Sequence, residues 1–175
     1  MDNKTADHIT VTPVQIIDNY KPMLIAGLSR EYPSCGPFEV TSLWDEFNRL
    51  LLRLPIPNKD ITYGLCSDPG AEGGLEYTCG VEISGNWDLP SLPNHISIKQ
   101  LASHAYAIFE HRGSVTDIRT TCDAIYKEWI PQTEYTTSPE DIDFFFERYG
   151  REFDPRRGKG DIQIWIPINT GPGLS

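Results

Sequence analysis

Apolar residues recur along this chain with two spacings, and the order of those spacings is the same in both halves. Val14 to Tyr20 and Met23 to Arg30 are rich in β-formers and broken by Pro22, whose missing N–H and fixed φ suit a bend. One long bent strand or two short ones is expected there. Leu43, Phe47, Leu50 and Leu54 then share one face at helical spacing, behind a capping Thr41 or Ser42 and ahead of Pro55 and Pro57. Strands near Ile61 to Cys66 and Leu75 to Ser84 follow, separated by the turn-rich run from Asp68 to Gly74.

After a connection rich in Pro and Asn the plan repeats: a strand from Ile96 to Glu110, a helix from about Val115 to Ile130, and strands near Asp141 to Tyr149 and Asp161 to Ile168. Ile118, Cys122, Ile125 and Trp129 each lie 75 residues after Leu43, Phe47, Leu50 and Leu54. The chain is an internal duplication, with unit one at about 8–84, a linker at about 85–95 and unit two at about 96–169. A unit alone would leave one face of a short sheet uncovered, so the two are expected to form a single domain spanning 1–175. The expected class is α+β: two strand-helix-strand-strand units about a pseudo-two-fold axis, with antiparallel sheets forming a concave ligand cleft and the helices on the opposite face.

Strand alternation assigns side chains to faces. Ile162, Ile164, Ile166 and Ile168, with Tyr77, Cys79, Val81 and Ile83, form the helix-covered core. Gln163 and Trp165 then point the other way, with Thr78, Gly80 and Glu82. Placing Phe144 and Phe146 in the core turns Phe145, Glu147 and Tyr149 toward the cleft, so that Glu147 and Trp165 share it. A buried carboxylate needs a raised pKa, an internal partner or a cationic ligand, because an unpaired buried charge costs several kcal/mol. A half-exposed strand Glu paired with a basic neighbour is the ordinary alternative. Trp44, one position off the helical stripe, borders the end of the cleft, and Tyr106 lies in a strand beside it. Matching Leu65 to Phe146 aligns Cys66 with Glu147 and brings a thiol into the cleft. Glu82 and Asp68 fall at its rim.

The 175 residues carry a formal net charge of −10. DNA binding neutralises phosphates with Lys and Arg, so direct DNA binding is not expected. The same field favours cationic small molecules. Arg156 to Gly160, the one basic cluster, reads as a solvated hairpin loop. No stretch approaches the ~18 apolar residues of a membrane span and no signal peptide is evident, which points to a cytoplasmic protein without membrane partners. Cys35, Cys66, Cys79 and Cys122 lack CxxC spacing and read as reduced thiols. The histidines form no ligand spacing with Cys or acids, and the Gly-rich segments lack a phosphate-loop ending, so neither metal nor cofactor is expected. A monomer or homodimer is expected.

Tyr106-Ala107-Ile108-Phe109-Glu110-His111-Arg112-Gly113, Glu128-Trp129-Ile130-Pro131, Phe146-Glu147-Arg148-Tyr149-Gly150 and Ile164-Trp165-Ile166-Pro167-Ile168 together resemble the GyrI-like small-molecule-binding domain, the effector-binding domain of AraC- and MerR-type multidrug regulators. The resemblance implies the SHS2-type fold and makes Glu147 the ligand-contacting acid. It surrounds that acid with aromatic side chains for hydrophobic, cationic or polyaromatic molecules, as in drug or xenobiotic sequestration. Trp165, Tyr149, Phe145, Tyr106, Trp44, Gln163 and Cys66 are the accompanying candidates. Without a DNA-binding module the chain looks like a stand-alone member. For such members the resemblance leaves two other roles. One is hydrolysis of cyclopropane-type genotoxins, with Glu147 as general base and Tyr149 or Tyr106 protonating the opening ring. The other is modulation of DNA gyrase or of a regulator.

Overall fold

The computed structural model describes residues 11–33, 39–67, 74–84, 92–137 and 144–171. Unit one contributes β1 (Gln15–Tyr20), β2 (Met23–Pro33), α1 (Thr41–Leu51), β3 (Thr62–Ser67) and β4 (Gly74–Ile83). Unit two contributes β5 (Ser97–Leu101), β6 (His104–His111), α2 (Ile118–Ala124), a π-helical turn (Ile125–Trp129), α3 (Ile130–Gln132), β7 (Phe144–Tyr149) and β8 (Ile162–Ile168). The bend at Pro22 separates β1 from β2, and residues 102–103 separate β5 from β6 at the matching place.

Among the described residues all eight strands join one antiparallel sheet in the order β1-β6-β8-β7-β3-β4-β2-β5. The half-sheets meet edge to edge where β3 pairs with β7, and Leu65 lies directly opposite Phe146. Residues 15–17 pair with 106–108, Tyr20 with His104, and 23–27 with 97–101. The two bent strands therefore run side by side through both corners, which rolls the sheet so that one face becomes concave.

Both faces are apolar and buried. Inside the roll, Met23, Ile25, Tyr63, Leu65, Leu101, Tyr106, Ile108, Phe146 and Trp165 pack together. On the outer face α1 presses Leu43, Phe47 and Leu51 onto Tyr77, Cys79 and Val81, while Ile118 and Ile125 cover Ile162, Ile164 and Ile166. The expected α1 stripe differs in one place, since Leu51 is buried and Leu50 only half-buried.

β7 runs with its faces opposite to the sequence expectation. Phe146 pairs with Trp165 and both point into the roll, whereas Glu147 pairs with Ile164 on the helix-bearing face. The run Phe144-Phe145-Phe146 is apolar in either phase, so with both faces buried the alternation carries no information about direction. Trp165, Gln163, Thr78 and Gly80 do lie away from the helices, as the pattern requires.

Candidate functional site

At the centre of the helix-bearing face β7 carries Phe145, Glu147 and Tyr149 on alternate positions. Glu147 is 7 % exposed. Two phenols converge on one of its oxygens: Tyr149 donates to Oε2 at 2.6 Å and Tyr77, from β4, donates to the same atom at 2.8 Å. The indole N–H of Trp44 in turn donates to the Tyr77 hydroxyl at 3.1 Å. A chain of donors thus runs from the first turn of α1 to the carboxyl. No Lys or Arg among the described residues forms an ion pair with it.

Burial raises the Glu147 pKa above the ordinary carboxylate value, and the Tyr149 and Tyr77 hydrogen bonds pull it partly back. Burial, followed by the nearby Glu147 charge, pushes both Tyr77 and Tyr149 well above the usual phenol value. Both hydroxyls therefore remain donors at neutral pH.

The surrounding walls come from both units. Trp44 stands edge-on to Tyr149, with ring centres 5.3 Å apart, and packs against both half-cores. Phe145 also touches both half-cores and meets Tyr126, from the π turn, at 6.2 Å. Cys66 is buried beside the carboxyl, and its thiol is raised first by burial and then by Glu147. Cys122 is likewise raised to about 12 by burial and then Glu147. Raised in this way, both thiols stay protonated and weakly nucleophilic at neutral pH.

The structure thus gathers Glu147, Tyr149, Phe145, Trp44 and Cys66 in one place. It does not bring Trp165, Tyr106 or Gln163 there. Trp165 and Tyr106 belong to the interior of the roll with ring centres 5.5 Å apart, and Gln163 accepts the Trp165 indole N–H at 3.1 Å. Glu82 faces away from the helices and pairs with Lys21. Asp68 and Cys35 lie outside the described residues. Sequence reasoning missed Tyr77, Gly64, Cys122 and Tyr126. Tyr77 carried a signal, because a phenol in a helix-covered stripe requires a buried acceptor. Gly64 lies opposite Glu147, and a Cβ there would collide with the Tyr77 hydroxyl and stand 2.6 Å from Oε2.

Chemically, the arrangement is a buried acid held by neutral donors and ringed by aromatic faces. Among the described residues it has no internal counter-ion.

Comparison with known proteins agrees on the architecture. The family described as integron-associated effector binding protein matches residues 17–168. The structure of SAV2435 bound to tetraphenylphosphonium superposes with a TM-score of 0.67 at 20% identity, covering 89% of this chain and 93% of that one. An integron cassette protein from Vibrio cholerae superposes with a TM-score of 0.58 at 17% identity, covering 90% and 95% of the two chains. The transcriptional regulator BrlR of Pseudomonas aeruginosa is 25% identical over 112 residues, which is 62% of this chain and 38% of that protein. The chain therefore spans well under half the length of this curated relative. Among the described residues no helix is long and apolar enough to cross a membrane.

Proposed function

The chain belongs to the integron-associated effector binding protein family, and on that premise we propose that it binds hydrophobic organic cations between its two helices, with Glu147 as the counter-charge. The observation carrying this reading is the buried carboxyl, which takes two phenol hydrogen bonds and no ion pair among the described residues. A carboxyl group in that state is costly to ionise, and an entering cation offsets the cost. Trp44, Tyr149 and Phe145 supply aromatic surface, and each cation–π contact is worth ~0.5–2 kcal/mol. The tetraphenylphosphonium bound by SAV2435, a protein of the same fold, is a ligand of this chemical kind. The net charge of −10 raises the local concentration of cations and disfavours direct contact with DNA. Free thiols at Cys66, Cys79 and Cys122 fit a reducing cytoplasm, where the role would be capture of a drug or other xenobiotic.

Calorimetric titration with tetraphenylphosphonium tests the reading. Wild type binds and Glu147→Gln loses at least ~10-fold in affinity, the value of one strong charge contact. Absence of binding to wild type, or equal binding by the variant, overturns it. Mass spectrometry of the recovered ligand returns it unchanged; a hydrolysed product would assign turnover instead of capture.

A further inference from the structure

The two helices differ at their start, where unit two opens with a 3-10 turn at Val115–Asp117, and again at the π turn. Where α1 buries Leu51 and leaves Leu50 half out, the second unit buries Ile125 completely and leaves the next residue, Tyr126, 40% exposed. The shift occurs in the π-helical turn, where the Ile130 N–H bonds the Ile125 carbonyl five residues back. Such a turn fits one extra residue into the helix, at a cost in regularity, and is frequent at functional sites.

The displaced ring is aimed at the site. Tyr126 packs on Phe145 with ring centres 6.2 Å apart, and burial, followed by the nearby thiols of Cys122 and Cys66, raises its phenol pKa. On β7, Phe145 and Tyr149 are four residues apart, about 13 Å at the rise of a strand. Trp44 stands over Tyr149 at one end of that span and Tyr126 over Phe145 at the other, with Glu147 midway. The backbone positions carrying the two pairs are therefore farther apart than the about 7 Å that sandwiching one flat ring needs at ordinary van der Waals contact.

We propose that Tyr126 is a ligand-binding residue: held by the π turn, it completes with Phe145 the second wall of the Glu147 site and selects bulky, multi-ring cations over small ones. This rests on the cation-binding reading above. The wall contributes apolar and cation–π contact only to a ligand wide enough to span from Trp44, so a small ammonium ion bound at Glu147 does not reach it.

Titrating the wild-type chain, Tyr126→Ala, Tyr126→Phe and Glu147→Gln with tetraphenylphosphonium and with tetramethylammonium decides the matter. Tyr126→Ala weakens tetraphenylphosphonium by about ten-fold and leaves tetramethylammonium unchanged, while Tyr126→Phe stays within about two-fold of wild type because the ring is kept. Unchanged tetramethylammonium binding by Tyr126→Ala also reports that this variant is folded, and Tyr126→Phe keeps the ring packing if it is not. Unchanged tetraphenylphosphonium binding by Tyr126→Ala, with Glu147→Gln still impaired, overturns the role of Tyr126 alone. An equal loss for both cations overturns size selection. Wild-type-like binding by Glu147→Gln overturns the underlying site and this inference with it.

Discussion

Gly64 and Glu147 lie directly opposite one another across the β3–β7 seam, and the carboxyl occupies space that any side chain at position 64 would need. The absence of a Cβ on one strand thus makes room for the acid on the other. Gly64→Ala is expected to push Tyr77 off the carboxyl and to destabilise the fold by about 2 kcal/mol, as overpacking of a rigid interior does. Chemical denaturation measures the loss, and a melting curve like that of wild type would contradict the assigned geometry.

Glu147 sets a pH dependence whose sign follows from its raised pKa. The folded state holds this proton more tightly than the unfolded chain, so the stabilisation is present in full below the unfolded value, near 4.5, and is lost as pH rises through the higher folded value. Glu147→Gln removes the charge, so its melting temperature should rise relative to wild type as pH increases from 4 toward 8, scales set by ordinary carboxylate titration. A difference that is flat across that interval would count against a buried, ionising carboxyl.

The same titration governs ligand binding with the opposite sign. A cation requires the carboxylate, so wild-type affinity for tetraphenylphosphonium should climb with pH through the folded pKa of Glu147 and level off above it. Glu147→Gln should show no such climb. Calorimetry at several pH values is the check.

Tyr77 and Tyr149 both donate to Oε2, but Tyr77 also accepts from Trp44. Tyr149→Phe removes one hydrogen bond to the buried carboxyl, worth about 0.5–3 kcal/mol, and raises the Glu147 pKa further. Tyr77→Phe does the same and also strands the indole N–H of Trp44, so it should be the more destabilising of the two. Urea unfolding of both variants at pH 7 ranks them, and the reverse order would sink the donor chain.

Trp165 tests the correction to β7. Its ring stacks on Phe146 at 5.2 Å inside the roll, on the face away from Glu147. Trp165→Ala should cost about 3–5 kcal/mol of stability. Trp165→Phe, which keeps most of the packing, should bind tetraphenylphosphonium as wild type does. A selective loss of affinity in the milder variant would return Trp165 to the ligand site.

Much of this was legible before any coordinates. The duplication, the strand and helix order, the helix-covered stripes of β4 and β8, and the alignment of Leu65 with Phe146 all follow from period and spacing, because each is a local property repeated along the chain. The same alignment set Cys66 against Glu147, whereas the antiparallel seam places Gly64 opposite Glu147 and Cys66 opposite Phe145. The helix break into a π turn left no such signature: Ile118, Cys122, Ile125 and Trp129 continue the α1 pattern in sequence while the backbone departs from it.

By itself, then, the sequence determined the two-unit plan and the presence of an acid among rings. Only the tertiary structure decided which rings. Rolling the sheet buries both of its faces, and a strand buried on both sides can be inserted either way up without violating its own alternation. The choice was made by partners distant in sequence: Tyr77, 70 residues from Glu147, supplies a hydrogen bond available only on the helix side, and Phe146 fills the interior against Trp165. A buried carboxyl goes where its donors are, and donors brought in by other strands are invisible to the period of its own.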